Sequence, residues 1–217
     1  MIKVLVVDDH DLVRSGISRM LADVEDIEVA GGAASGEEAI EFVRTSRPDI
    51  VLMDIRMPGI GGLEATRKLL RMDDSIRVIV VTACADDPYP TRVMQAGATA
   101  YITKGADIRE MVRAIRMAHS GQRYISPEIA QKMALKQFSD TDENQQSIFD
   151  RLSEREMQIA MMVVGCQKVQ DISDKLCLSP KTVNSYRYRI FEKLEISSDV
   201  ELALMAVRLG LLDADRV

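Results

Sequence analysis

Long apolar runs are missing from this sequence: none approaches the roughly 18 residues needed to span a membrane. The apolar start at 1–7 is stopped by Asp8 and Asp9, too soon for a secretion signal. Cysteine is sparse. Cys84, Cys166 and Cys177 are an odd number without a C-x-x-C pair, which argues for reduced thiols and against a disulfide framework or a zinc site. These absences point to a cytoplasmic protein with no membrane contact. The hydrophobic share of 47% and the charged share of 29% suit a globular chain of one or two domains.

Basic residues are also outnumbered, and the net charge of −6 argues weakly against nucleic acid. The layout is uneven, however. Residues 1–122 hold 15 Lys+Arg against 19 Asp+Glu, whereas 151–217 hold ten of each. Within 179–193 there are four cations and one acid. Such a stripe fits a DNA-facing helix or an ordinary solvated face.

What is present has a clear rhythm. Apolar runs at 2–7, 27–29, 50–53, 78–81 and 101–102 alternate with amphipathic stretches at 11–22, 36–46, 62–71, 90–96 and 107–119. Five βα units predict a doubly wound α/β fold, a parallel sheet with helices on both faces. Strand signals stop near Gly121. Ser126-Pro127-Glu128 predicts a short helix with Ser126 as cap and proline at its first position. The acidic stretch SDTDENQQS, 139–147, reads as linker. From Ser153 onward the pattern is helical, in four short segments. The expected division is 1–120, a linker over 121–148, and 149–217.

In a doubly wound sheet, ligands bind beyond the carboxyl ends of the strands. Those ends carry Asp8 and Asp9, Asp54, Thr82 and Lys104. Taken singly, each has a plainer reading as a helix cap or a solvated side chain. Taken together, three carboxylates on one rim repel unless a cation relieves them, and a shallow oxygen-lined site suits Mg²⁺. Asp54 can then attack phosphorus to form an acyl phosphate. Thr82 and Lys104 are placed to hold phosphoryl oxygens.

The blocks VLVVDDH, DIVLMDIRMPGIGGLEA, VIVVTA and AYITKG resemble the signatures of a bacterial response-regulator receiver domain over about 1–120. The resemblance implies five parallel strands in the order 2-1-3-4-5, with Asp54 as phosphoacceptor. It implies Mg²⁺ on Asp9 and Asp54, with Asp8 acting largely through water and Arg56 offering its backbone carbonyl. It makes Tyr101 the aromatic switch. Receivers often carry proline after the lysine, where this chain has Gly105. Arg56 and Cys84, two residues beyond Asp54 and Thr82, are poor water-activating groups, so a long-lived phosphoryl state is expected. A phosphatase of the haloacid dehalogenase type also uses an aspartyl nucleophile, but needs an acid where Arg56 stands.

LSEREMQIAMMVVG offers a capping box, Ser153 with Glu156, an apolar stripe of Ile159, Ala160, Met162 and Val163, and Gly165 to close. A short helix near 169–176 follows. LSPKTVNSYRYRIFEKL then starts at Ser179, with Val183, Tyr186, Ile190 and Leu194 facing inward. Lys181, Thr182, Asn184, Ser185, Arg187, Tyr188, Arg189 and Lys193 are left largely outside. Two short helices joined by a turn, the second basic, suit a major groove.

This segment, about 149–212, resembles the four-helix DNA-binding domain of the LuxR/FixJ/NarL family. By that resemblance Asn184, Ser185 and Tyr188 face bases, and Lys181, Thr182, Arg187, Arg189 and Lys193 contact phosphates. The last helix, with Leu202, Met205 and Leu209, is a dimer surface or core. The whole chain is similar to regulators of the GacA/UvrY group. That implies a non-enzymatic, phosphorylation-controlled global activator. Its implied partners are a hybrid-type histidine kinase, double-stranded promoter DNA, a second copy when phosphorylated, and RNA polymerase. A receiver acting only through protein contacts is the alternative.

Overall fold

Alternation inside nearly continuous apolar runs decides the first half of the molecule. Along strand β1 (Ile2–Val7), Val4 and Val6 enter one core cluster while Leu5 and Val7 enter the other. A strand buried on both faces needs a continuous apolar run, which is why β1 from Val4 and all of β3 (Ile50–Met53) show no polar alternation, with only Lys3 exposed near the start of β1. The computed structural model describes residues 1–83, 89–138, 148–149 and 151–208, and the chain divides into two compact units, Met1–Lys136 and Gln137–Val217.

The first unit alternates strands and helices as expected. β1 leads through helix α1 (Asp11–Ala22) to β2 (Ile27–Ala33), then α2 (Gly36–Thr45), β3 and α3 (Gly61–Met72). It continues with β4 (Arg77–Thr82), α4 (Tyr89–Gln95), β5 (Ala100–Thr103), α5 (Ile108–His119), β6 (Tyr124–Ile125) and α6 (Pro127–Phe138). The sheet is parallel, in the order β2-β1-β3-β4-β5-β6. Ile17, Leu21, Met111 and Ile115 of α1 and α5 cover one face. Ala39, Val43, Ala65 and Leu69 of α2 and α3 cover the other. Each buried valine, leucine, isoleucine or methionine among them contributes about 1.5–3 kcal/mol.

Three features differ from the sequence reading. The sheet has six strands, not five. β6 is two residues long, and its pairing beside Ala100 and Tyr101 rather than any apolar run makes it a strand. β2 extends four residues beyond its expected end. The apolar run stops at Val29, but the strand continues through Gly31, where a Cβ would lie 2.5 Å from the Phe42 ring, so glycine is what lets α2 pack on the strand. The β1–β2 register shifts between Val4 and Leu5. Finally, the Ser126 side chain finds no hydrogen-bond partner among the described residues, so it does not cap α6; Ala130 bonds to its carbonyl instead. The acidic part of the expected linker, 139–147, lies outside the described residues.

The second unit holds α7 (Glu154–Val164), α8 (Val169–Leu176), α9 (Pro180–Leu194) and α10 (Asp199–Arg208) around Met157, Ile159, Ile172, Leu176, Val183, Ile190, Leu194, Leu202 and Ala206. The capping box of Ser153 and Glu156 is present. The inward stripe of α7 falls on Met157, Ile159, Ala160 and Val164, with Met162 and Val163 only half-buried. Gly165 has φ −74, and Cys166 takes the left-handed conformation at the end of α7. No described helix is long and apolar enough to cross a membrane.

Candidate functional site

The rim of the first unit is built by strands that keep hydrogen-bonding one residue past their ends. The Asp8 amide donates to the Ala33 carbonyl at 3.1 Å, that of Asp54 to Val7 at 2.9 Å, and that of Lys104 to Thr82 at 2.6 Å. These bonds fix three charged side chains at the carboxyl ends of β1, β3 and β5, the last separated from β3 by β4. Lys104 Nζ donates to Asp8 Oδ2 at 2.6 Å and to Asp54 Oδ2 at 2.8 Å. Both carboxylates are buried, and a single ammonium serves the two. Asp54 Oδ1 accepts from the Arg56 amide at 3.3 Å, and Asp8 Oδ1 from the His10 amide at 2.9 Å. The Arg56 side chain is exposed.

Burial pushes the Asp54 carboxyl above the ordinary carboxylate range, and Lys104 only partly opposes this. Burial alone would lower Lys104, but its hydrogen bonds to Asp54 and Asp8 hold it above the usual lysine value. Thr82 ends β4 and is buried. Tyr101 is fully buried in β5, where Val80 is its Cα partner in the neighbouring strand. Cys84 lies outside the described residues.

A cation fits this donor set. Asp8, Asp9, His10 and Asp54 each offer a ligand atom, and these atoms lie within 4.8 Å of one another. Asp9 Oδ1 is buried without a hydrogen bond among the described residues; His10 Nδ1 stands 2.9 Å away without forming one. A buried oxygen left so suits a cation ligand.

Two contributors escaped the sequence reading. His10 was visible only as the last letter of VLVVDDH. Gly62 supports Asp54 from behind: its amide donates to the Ile55 carbonyl, and a Cβ there would fall 1.9 Å from the Asp54 carbonyl oxygen. The only signal for it was the run GIGGLEA.

In the second unit, Ser179 caps α9 by accepting from the Thr182 amide at 3.1 Å, and Pro180 opens the helix. Val183, Ile190 and Leu194 are buried; Tyr186 is half-exposed. Lys181, Ser185, Tyr188, Arg189 and Lys193 are exposed, and Thr182, Asn184 and Arg187 are half-buried. Two of the cations are engaged within the unit. Arg187 pairs with Asp199 of α10 and donates to Asn184 Oδ1 at 3.0 Å. Lys193 donates to Glu156 Oε2 at 2.6 Å. Burial would raise the Glu156 carboxyl, but Lys193 and Ser153 hold it below the ordinary value. On α10, Leu202 is core and Met205 half-buried, while Val200, Leu204 and Val207 are exposed. Leu209 lies outside the described residues.

Residues 4–116 match the family model described as response regulator receiver domain, and 150–206 match bacterial regulatory proteins, luxR family. The response regulator GacA of Pseudomonas syringae pv. syringae (strain B728a) is 68% identical over 214 residues, 99% of each chain. The response regulator UvrY of Escherichia coli (strain K12) is 54% identical over 215 residues, 99% of this chain and 98% of UvrY. Among solved structures, a LuxR-family two-component response regulator from Aurantimonas sp. SI85-9A1 is 36% identical with TM-score 0.61, covering 63% of this chain and 98% of that one.

Proposed function

The chain belongs to the response regulators that join a receiver domain to a luxR-family DNA-binding domain, and on that premise we propose that Asp54 accepts a phosphoryl group from a histidine kinase to control promoter binding by α9. The observation that carries this reading is the bridging of Asp54 and Asp8 by Lys104 across strand ends. A kinase phosphohistidine presents its phosphorus to an Asp54 oxygen. The O–P bond forms as the P–N bond breaks, and the imidazole leaves with the electron pair. Lys104 exchanges its Asp54 contact for a phosphoryl oxygen, Thr82 hydrogen-bonds another, and Tyr101 responds to Thr82. Asp8, Asp9, Asp54 and the Arg56 backbone carbonyl would hold Mg²⁺, which when bound supplies charge neutralisation for the incoming group. With Arg56 and Cys84 at the two flanking positions, the phosphoryl group is long-lived.

The readout is carried by the outer face of α9. Lys181 and Arg189 contact phosphates while Asn184, Ser185 and Tyr188 approach base edges. Thr182 and Lys193 flank that surface at the two ends of the helix. Val200, Leu204 and Val207, at spacings of four and three on α10, form the strip through which two copies pair on a two-fold site. The coupling between phosphorylation and DNA affinity is about 1–3 kcal/mol, the usual size for such a link.

Acetyl phosphate with Mg²⁺ is the direct test. It should label the wild-type chain on Asp54 for longer than minutes and leave Asp54→Asn unlabelled. Nuclease footprinting of promoter fragments should show protection that strengthens with labelling. Label on another residue, or no protected segment on any fragment, ends the reading.

A further inference from the structure

We propose that Arg187 is a positioning residue that sets which base edge Asn184 reads, rather than an anchor on a phosphate. The inference rests on the DNA-binding reading above. A guanidinium carries five N–H donors and no acceptor. The Asn184 atom that Arg187 Nη1 meets at 3.0 Å is therefore the amide oxygen, Oδ1. The same guanidinium is held from elsewhere. Its Nε donates to Asp199 Oδ1 at 3.3 Å, its Nη2 bonds the second Asp199 oxygen, and it lies 5.9 Å from the Phe191 ring centroid. Asp199 opens α10, so the contact ties the orientation of one helix's amide to the neighbouring helix.

The consequence is chemical. An unconstrained asparagine reads adenine by accepting from N6 and donating to N7 together. Here Oδ1 is turned toward Arg187, and the group left to face outward is the NH₂ donor. A donor matches acceptor edges. In the major groove that is guanine, where N7 and O6 both accept, ahead of adenine, whose N7 acceptor stands beside the N6 donor, and of thymine O4. Arg187, bound at both ends of its fork, is withheld from the phosphate backbone.

In vitro selection from a randomised duplex pool tests this, using the full chain treated with acetyl phosphate and Mg²⁺. Affinities of the selected duplex and its single-base variants are then measured at two salt concentrations. The wild type should prefer guanine at one position of each half-site by about 5- to 150-fold. Asn184→Asp keeps the shape and the Arg187 contact but exchanges the donor for an acceptor; it should lose the guanine preference at that position and alter the preference at no other. Arg187→Ala frees the amide and should move the preference toward adenine with the salt slope unchanged. The inference is overturned if the wild type selects adenine, if Asn184→Asp keeps the guanine preference, or if Arg187→Ala weakens all sequences alike and lowers the salt slope by about one. A wild-type chain that enriches no sequence defeats the DNA-binding reading itself, and the inference with it.

Discussion

The two units solve the same problem, placing charge where it can act, in opposite ways. The receiver rim brings Asp8, Asp54 and Lys104 from three strand ends into a cleft where two buried carboxylates share one ammonium. The basic helix lays its cations along one element, and two of them, Arg187 and Lys193, each have a carboxylate of their own. Burial dominates on the rim and raises the Asp54 carboxyl, whereas Lys193 and Ser153 outweigh burial at Glu156 and lower it. A site that must receive a phosphoryl group is therefore left short of positive charge. A site that must fold and stay folded is locally balanced. The difference teaches that unbalanced charge marks the place awaiting a ligand.

The sharpest way to break that contrast is to remove the ammonium that Asp8 and Asp54 share. Lys104→Ala leaves Asp8 and Asp54 buried against each other. Stripping one side of a buried ion pair costs about 3–5 kcal/mol, and partial exposure of Lys104 puts the expectation at about 3. Urea melts should show that loss, and Mg²⁺ should restore more stability to the variant than to the wild type, because binding to the folded state adds to its stability. No differential rescue by Mg²⁺ would mean that the acidic cluster is not a cation site. Gly62→Ala attacks the same site through the backbone. Its Cβ must displace the Asp54 carbonyl, so a loss near the top of the range of about 1–3 kcal/mol for overpacking is expected. Acetyl phosphate labelling should fall with it; unchanged labelling would show that the loop relaxes freely.

Balance in the second unit is tested at Glu156. Its carboxyl lies below the ordinary 4.5 in the folded chain. A lowered carboxyl contributes stability that is present above the unfolded pKa and lost as pH falls through the folded pKa. The helical unit should therefore weaken below about pH 4.5. Glu156→Gln keeps the capping box but removes the charge that Lys193 meets; it should cost about 1–2 kcal/mol at neutral pH, the value of a charged hydrogen bond, and should flatten that acid limb. An acid limb that survives the substitution assigns it to other carboxylates.

The two regions also differed in how much their sequences disclosed. Strand ends were legible because β1 and β3 are buried on both faces, so the first charge after each apolar run marks the rim. The three rim side chains converge because the topology of a doubly wound sheet puts those ends together. On α9, Ser179 and the three- and four-residue spacing announced a capped helix and its inner face. What stayed hidden depended on tertiary partners. Nothing in the periodicity links Lys193 to Glu156, 37 positions away, or Arg187 to Asp199 on the next helix. The apolar run of β2 stopped at Val29, and its continuation through Gly31 depends on the Phe42 ring that this glycine admits, which the run itself does not show. β6 has too few residues for any pattern and exists through its pairing with β5.

The smallest expected effect sharpens the comparison at the level of the backbone. Among the described residues, every left-handed position in the first unit is a glycine: Gly59, Gly61, Gly97 and Gly121. In the second unit they are Cys166, Cys177 and Glu195. A side chain at positive φ costs roughly 1–2 kcal/mol, and glycine there loses roughly 0.5–1 kcal/mol of the gain to its freer unfolded chain. Cys177 caps α8 at φ 52, is exposed, and its side chain makes only a weak contact with Asp174 at 4.0 Å. Cys177→Gly should therefore stabilise the helical unit by about 0.5 kcal/mol, raising its melting temperature by about 2–4 °C. DNA affinity should be unaltered, because the turn keeps its geometry. A gain in stability with lost affinity would instead mean that the strain at this turn is retained to set the pitch of α9, and the second unit would then hold its tension in the backbone as the first holds it in charge.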